Sequence, residues 1–118
     1  MSDLGDLYHY GHGVAQDYAK AREWYEKAAA KDNAEAMNNL AFLYEQGQGV
    51  PQDYAKAREW YEKAAAKDDA VAIYNLGVFY ENGYGVAQDY DKARKLYEKA
   101  ADKGDPRAKM ALEQLPSR

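Results

Sequence analysis

Apolar and polar residues alternate along this chain in two kinds of helical segment. In the first kind, clearest at residues 33–46, the apolar positions are spaced by three or four residues and so form one stripe of a helix. In the second kind, clearest at residues 18–28, tyrosines and alanines recur with the same period. Because a short glycine-containing turn joins each first segment to a second, the pattern predicts helical hairpins.

The hairpin is repeated along the chain. Residues 16–32 and 52–68 are identical, and residues 88–104 are a looser copy at the same offset of 36 residues. A period of this size predicts an array of stacked units in one domain. Stacked units build extended binding surfaces more often than catalytic centres.

Capping residues mark where the helices begin and end. Glycine at 47 and 83 is expected to stop each first helix, since glycine adopts a left-handed backbone conformation without a Cβ clash. The aspartates expected to cap the second helices are Asp17, Asp53 and Asp89. Asp105 followed by proline predicts one more helix, at residues 105–115.

We therefore predict an all-α chain with about seven helices. The first would be a shortened helix within residues 1–10, near 3–10, because it lacks the alanines that begin its counterparts. This suggests a trimmed fragment. The other divisions are repeats at 11–46 and 47–82, a third second-type helix in 83–104, and a capping helix in 105–118.

The recurring motif A-x-x-x-L-[AG]-x-L/F-Y-E-x-G-x-G-V-x-Q-D-Y-x-K-A-R-x-W-Y-x-K-A-A resembles the Sel-1-like repeat, a subclass of the tetratricopeptide-type helical hairpins. The resemblance extends from Leu4 to Leu115. It implies a right-handed α-solenoid with first helices on the concave face and second helices on the convex face. It also implies an adaptor that assembles other proteins. Some secreted relatives link each hairpin with a cysteine pair, and this chain has no cysteine.

Charge and composition narrow the classes of partner. The net charge is −4, and basic and acidic residues are interspersed along the helices, which argues against a nucleic-acid groove. No apolar stretch is long enough to cross a membrane, and the N-terminus lacks the features of a signal peptide. Together with the absence of cysteine, this predicts a cytoplasmic protein, although a secreted origin of a trimmed fragment would look the same.

The two complete repeats differ at ten positions, and seven of these lie in the first helix. Four pairs change their chemistry: Glu35/Val71, Asn38/Tyr74, Phe42/Val78 and Gln46/Asn82. Their spacing of three, four and four residues places them on one stripe, opposite the core in this register. The pattern favours a varied binding surface on a constant scaffold. The alternative is that these positions are merely exposed and change freely.

We predict that a protein or peptide binds along this stripe and its neighbours. The predicted site consists of Asp6, His9, Glu35, Asn38, Asn39, Phe42, Glu45, Tyr74, Asn75, Val78, Glu81, Arg107 and Met110. Its aromatic and apolar members have no core role in this register, and its acidic members outnumber Arg107. The expected partner is therefore a segment with basic and apolar residues. Asn39 and Asn75 would either hold a peptide backbone or tie adjacent helices together.

Catalytic chemistry is not expected. The chain has no threonine or cysteine, and its two serines, Ser2 and Ser117, lie at the termini, away from a rigid element. His9, His12 and Asp6 are a weak metal-site candidate, because Gly11 interrupts the helix between the histidines. We expect no enzymatic activity, no cofactor and no metal.

Two alternatives to an adaptor stay open. One is a structural module that self-assembles into a homo-oligomer through an uncapped N-terminal end, since solenoid ends expose apolar surface unless they are capped. The other is an engineered, consensus-like scaffold without a natural ligand, because seventeen identical consecutive residues occur in two repeats.

Overall fold

The computed structural model describes residues 18–115, and these form an all-α solenoid of antiparallel helix hairpins. The helices within this range are α1 (Tyr18–Ala29), α2 (Ala34–Gln46), α3 (Tyr54–Ala65), α4 (Ala70–Asn82), α5 (Tyr90–Asp102) and α6 (Pro106–Gln114). They match six of the seven predicted helices, and the predicted helix at 3–10 lies outside the described residues. Helices α2, α4 and α6 are of the first type, and α1, α3 and α5 are of the second type.

The predicted capping residues define the helix ends. Asp53 and Asp89 accept hydrogen bonds from the backbone N–H groups of Lys56 and Lys92, three residues further on. Gly47 and Gly83 end α2 and α4 in the left-handed conformation. The remaining observed N-caps are Asn33, Asp69 and Asp105. Asp17 lies outside the described residues.

Each helix packs against its neighbours in the chain, so the array is elongated, with extents of 46 × 27 × 23 Å. Small alanines let the helices approach closely, and large buried side chains fill the space between them. The largest fully buried side chains are Tyr25, Tyr61, Tyr97, Phe79, Leu40, Leu43 and Ile73. The constant tyrosines come from second-type helices, and the aliphatic and phenyl groups come from first-type helices.

The glycine-containing turn within a hairpin packs on the preceding repeat. Tyr84 stacks on Tyr54 with ring centroids 4.9 Å apart and planes 10° from parallel. Gly85 follows with a φ of +67°, and its α-carbon faces the backbone where α3 begins. The connector therefore fixes the position of one repeat on the next.

In the described part of the chain, no helix combines the length and the apolar character needed to cross a membrane.

Candidate functional site

Two clefts run across the first-type helices. One is lined by α2, α4 and Tyr61 of α3, and it reaches Arg107 at the start of α6. The second lies between α4 and α6 and shares Arg107 with the first. Each holds about 220 Å³. The walls comprise Asn38, Asn39, Phe42, Tyr61, Val71 and Asn75 in the first cleft, and Tyr74, Met110, Ala111 and Gln114 in the second. We call this surface the first-helix groove.

Large hydrophobic side chains are exposed along this groove. Among residues 18–115, the exposed large hydrophobic residues are Phe42, Val71 and Met110, with exposed fractions of 39%, 41% and 61%. Phe42 and Val71 line the first cleft, and Met110 lines the second. Their exposure costs free energy in water, and a cluster of such side chains on one face is typical of interaction surfaces. The comparison of the repeats with each other placed Phe42 and Met110 in the predicted site. It did not include Val71, although it noted that Val71 replaces Glu35.

Arg107 stands at the junction of the two clefts. Its Nε and Nη2 groups donate hydrogen bonds to the Asp105 carboxylate at 3.3 and 3.1 Å, and its Cζ lies 4.4 Å from the centre of the Tyr74 ring. The hydrogen bond to Asp105 raises the pKa of Arg107 above its ordinary value. The pKa of Asp105 is lowered, because hydrogen bonds from Arg107 outweigh the effect of desolvation. Arg107 is thus a permanently charged group held in one orientation.

Asn38 lines the first cleft where one repeat meets the next, but it is mostly buried. It is 9% exposed, and its Nδ2 donates a 2.8 Å hydrogen bond to Oδ1 of Asp69. The same Asp69 oxygen caps α4 by accepting from the backbone N–H of Ala72. The sequence-based placement of Asn38 opposite the core is therefore wrong, because the N-terminus of α4 covers that side of α2. Asn38 therefore links α2 to the N-terminus of α4.

Asn39 and Asn75 are half-buried and lie one period apart in the first cleft. The structure places them with Phe42 and Arg107 in the walls of one cleft. Their amides can donate and accept hydrogen bonds at the cleft wall. A role in holding a peptide backbone stays a prediction.

Glu45 and Glu81 each accept a hydrogen bond that links the two helices of a hairpin. The Tyr61 hydroxyl donates to Glu45 at 2.9 Å, and the Tyr97 hydroxyl donates to Glu81 at 2.6 Å. Burial raises the pKa values of both tyrosines, and it raises that of Glu45 more than the hydrogen bond lowers it. Neither carboxylate belongs to the cleft walls. The expectation of an acidic groove is therefore not supported by its lining.

This hydrogen bond gives a prediction for stability. Tyr97→Phe is expected to lower the free energy of unfolding by about 1–3 kcal/mol, because it leaves a half-buried carboxylate without its donor. Urea unfolding followed by circular dichroism measures this loss. Tyr90→Phe is the matched control, since the Tyr90 hydroxyl only accepts an exposed hydrogen bond from Gln88, and it should cost less than about 0.5 kcal/mol. Equal effects of the two changes would contradict a special role for the Tyr97–Glu81 pair.

Tyr74 and Val78 have packing roles that the sequence did not reveal. Both are partly buried and contact the core cluster that contains Ile73, Tyr97 and Ala108. The ring centre of Tyr74 lies 5.6 Å from that of Tyr97, and Arg107 covers its face. The interpretation that Tyr74 and Val78 lack a core role is wrong, because α5 and α6 pack against them.

The remaining predicted residues are Glu35, Asp6 and His9. Glu35 is exposed in the first turn of α2 and is not part of a cleft wall. Asp6 and His9 lie outside the described residues. Within residues 18–115, the clefts carry fewer charged side chains than the predicted stripe, because Glu35, Glu45 and Glu81 are not in their walls.

A larger cleft lies between second-type helices α1 and α3 and has a volume of about 560 Å³. Two of its lysines have partners, since Lys67 Nζ lies 3.7 Å from Asp32 and Lys63 Nζ lies 4.4 Å from the centre of the Trp60 ring. Unlike the first-helix groove, this cleft contains none of the exposed large hydrophobic side chains of residues 18–115.

The model of the Sel1 repeat matches three consecutive stretches of the chain: residues 1–33, 34–69 and 70–105. The chain belongs to the Sel1 repeat family. The second and third matched stretches each begin with a first-type helix. The repeats are therefore α2 with α3 and α4 with α5, and α6 follows the third matched stretch.

Solved structures share this fold over most of the chain. A Sel1 repeat protein from Oxalobacter formigenes is 36% identical, with a TM-score of 0.87 over 94% of this chain and 46% of that protein. A protective antigen of uropathogenic Escherichia coli with an SLR fold is 39% identical, with a TM-score of 0.86 over 94% of this chain and 24% of that protein. Helicobacter pylori cysteine rich protein B is 30% identical, with a TM-score of 0.74 over 79% of this chain and 70% of that protein.

A curated relative matches about one repeat. The ERAD-associated E3 ubiquitin-protein ligase component HRD3A of Arabidopsis thaliana is 46% identical over 37 residues, which are 31% of this chain and 6% of that protein. The similarity therefore concerns the repeat and leaves most of the relative unmatched.

Among the described residues, no group of three or more histidine, cysteine or carboxylate side chains is arranged to hold a metal ion.

Proposed function

We propose that this protein is a non-enzymatic scaffold that binds a peptide or a helix of a partner protein in the first-helix groove. The observation that carries the proposal is the collection of Phe42, Val71 and Met110, the exposed large hydrophobics of the described chain, in two adjoining clefts. Apolar anchors surrounded by polar groups are typical of protein-binding surfaces. Sel1 repeats generally mediate protein interactions, which favours the same class of function.

The fold supplies a rigid base for such a surface. Each first-type helix is held by buried tyrosines from the second-type helices and by capped ends. A partner therefore meets side chains whose backbone is already ordered, and the entropy lost on binding is small. The cytoplasmic location predicted from the sequence is part of this proposal, and so is the role as an adaptor.

A peptide-display selection on the wild-type protein tests the proposal. Peptides selected on the wild type should bind the double variant Phe42→Ala, Met110→Ala at least about tenfold more weakly, because each truncation removes an apolar anchor worth roughly 1 kcal/mol or more. Both residues are exposed, so the variant should keep the helical signal and melting temperature of the wild type. Fluorescence anisotropy with the selected peptides measures the loss.

The matched control changes two exposed residues of second-type helices, Glu59→Ala with Lys95→Ala. This variant should bind as the wild type does. If the selected peptides bind all three proteins equally, or if no peptide is selected, the groove is not the binding surface. Light scattering over a concentration series then tests self-assembly, which predicts a mass that grows with concentration.

A further inference from the structure

We infer that the first-helix groove recognises a carboxylate, placed in the partner between two apolar side chains, and that Arg107 is the residue that selects it. This inference rests on the proposed function, and it specifies the chemistry of the partner. It replaces the expectation of a basic partner, which depended in part on Glu35, Glu45 and Glu81, carboxylates that are not in the cleft walls.

The charge of the lining is the first step. Within the described chain, Arg107 is the only charged side chain in the walls of either cleft. The other polar members of the first cleft are asparagine amides and the Tyr61 hydroxyl, which carry no net charge. An anionic group in the groove would therefore meet Arg107, whose charge is partly balanced by the buried Asp105 carboxylate, and it would meet no carboxylate in the walls. A cationic group placed there would be repelled by Arg107 as it lost its hydration.

The hydrogen-bonding capacity of Arg107 is the second step. A guanidinium has five N–H groups, and Asp105 takes one from Nε and one from Nη2. The Nη1 group and the second Nη2 hydrogen are directed elsewhere. The side chain is 51% exposed, so these donors are accessible to a ligand. A carboxylate is the acceptor that matches paired guanidinium donors in both geometry and charge.

The orientation of Arg107 is fixed before any ligand arrives. Asp105 is 6% exposed and holds one edge of the guanidinium, while the Tyr74 ring lies against its face. An arginine that is already ordered loses little side-chain entropy on binding. Position 107 corresponds to Glu35 and Val71 in the two earlier repeats, so the cation occurs once along the groove.

The apolar anchors set the sequence around the carboxylate. Phe42 and Val71 lie in the cleft on one side of Arg107, and Met110 lies in the cleft on the other side. A segment that follows both clefts would place an apolar side chain at each and its acidic group between them. The partner class is therefore a peptide with an apolar–acidic–apolar pattern.

Three pools of fluorescein-labelled nonapeptides test this inference. The pools share randomised apolar flanks and differ at the central residue, which is Glu, Gln or Lys. On immobilised wild-type protein, we expect about tenfold stronger retention of the Glu pool than of the Gln pool, and the weakest retention of the Lys pool. The preference for Glu over Gln should fall as NaCl rises from about 50 to about 500 mM, because salt screens the charge pair.

Two variants separate this inference from the proposed function. Arg107→Val, which introduces the residue found at the equivalent position 71, should abolish the preference for Glu while the Gln pool stays bound. Phe42→Ala should weaken all pools by a similar factor. Equal retention of the three pools by the wild type, or a preference for Lys, would overturn the carboxylate inference, and binding that depends on Phe42 would leave the proposed function standing. If no pool is retained, or if Phe42→Ala leaves retention unchanged, both the carboxylate inference and the proposed function are overturned. The salt series on the wild type keeps the test decisive even if Arg107→Val unfolds.

Discussion

Phe79→Ala is expected to lower the free energy of unfolding by about 3–5 kcal/mol, the range for removing a large buried aromatic side chain. Phe79 is 1% exposed and lies in α4. Its ring makes edge contacts with Tyr54, Tyr61 and Tyr84, with centroids 5.5–5.8 Å apart and planes at 84° in each pair. Alanine would remove these contacts and leave a cavity between two repeats, since the α3 backbone cannot close the gap without losing its other contacts.

The first repeat supplies the control for this change. Leu43 occupies the equivalent position and is also fully buried, so the fold accepts leucine there. Phe79→Leu should therefore cost less than about 1.5 kcal/mol, as volume-conserving core changes usually do. Urea unfolding followed by circular dichroism measures both variants. Similar losses for Phe79→Ala and Phe79→Leu would show that the ring does not fill the space between the repeats.

Most of the fold follows from local chemistry and repetition. The capping aspartates, Gly47, Gly83 and the proline after Asp105 act within one turn of a helix, so their roles can be read from sequence neighbours. The period of 36 residues then requires each hairpin to pack in the same way. The order and bounds of the described helices were predictable for these two reasons.

The groove was predictable only in part, because its shape depends on how one repeat rotates on the next. Helical spacing places Asn38 and Phe42 on one stripe, yet the N-terminus of α4 buries Asn38 and leaves Phe42 exposed. The same rotation brings α6 over Tyr74 and Val78. A helical period defines the faces of a single helix, whereas the packing angle between hairpins decides which face is covered.

The charge of the groove could not be predicted without knowing the positions of the side chains. Glu45 and Glu81 recur one period apart, and a count of charges assigns them to the groove. In the structure they accept hydrogen bonds from Tyr61 and Tyr97 across the hairpin. The sequence does contain a clue to this contact. The glutamate and the tyrosine recur together in two repeats, 16 residues apart each time, which suggests that the two side chains contact each other.

Gly85→Ala is expected to lower the free energy of unfolding by about 2–4 kcal/mol, because two separate costs add. The φ of +67° disfavours a residue with a Cβ. The added Cβ would also lie 2.9 Å from Cβ of Tyr54 and 3.2 Å from its backbone carbonyl carbon. The start of α3 cannot yield easily, because its first turn is capped by Asp53 and covered by the stacked Tyr84 ring. The close approach of connector and helix thus requires glycine.

Gly83→Ala separates the two costs. Gly83 has a similar φ of +73°, but its nearest neighbours would be 3.5 Å from an added Cβ, which is ordinary contact. This variant should lose only the conformational part, about 1–2 kcal/mol. Gly49→Ala repeats the test in the preceding connector, where the Cβ would lie 2.7 Å from Cβ of Tyr18, so its loss should equal or exceed that of Gly85→Ala. Equal losses at positions 83 and 85, measured by urea unfolding, would mean that the connector does not hold adjacent repeats in register. A larger loss at 49 and 85 would show that the close contacts of the connectors with Tyr18 and Tyr54 stabilise the packing of adjacent repeats.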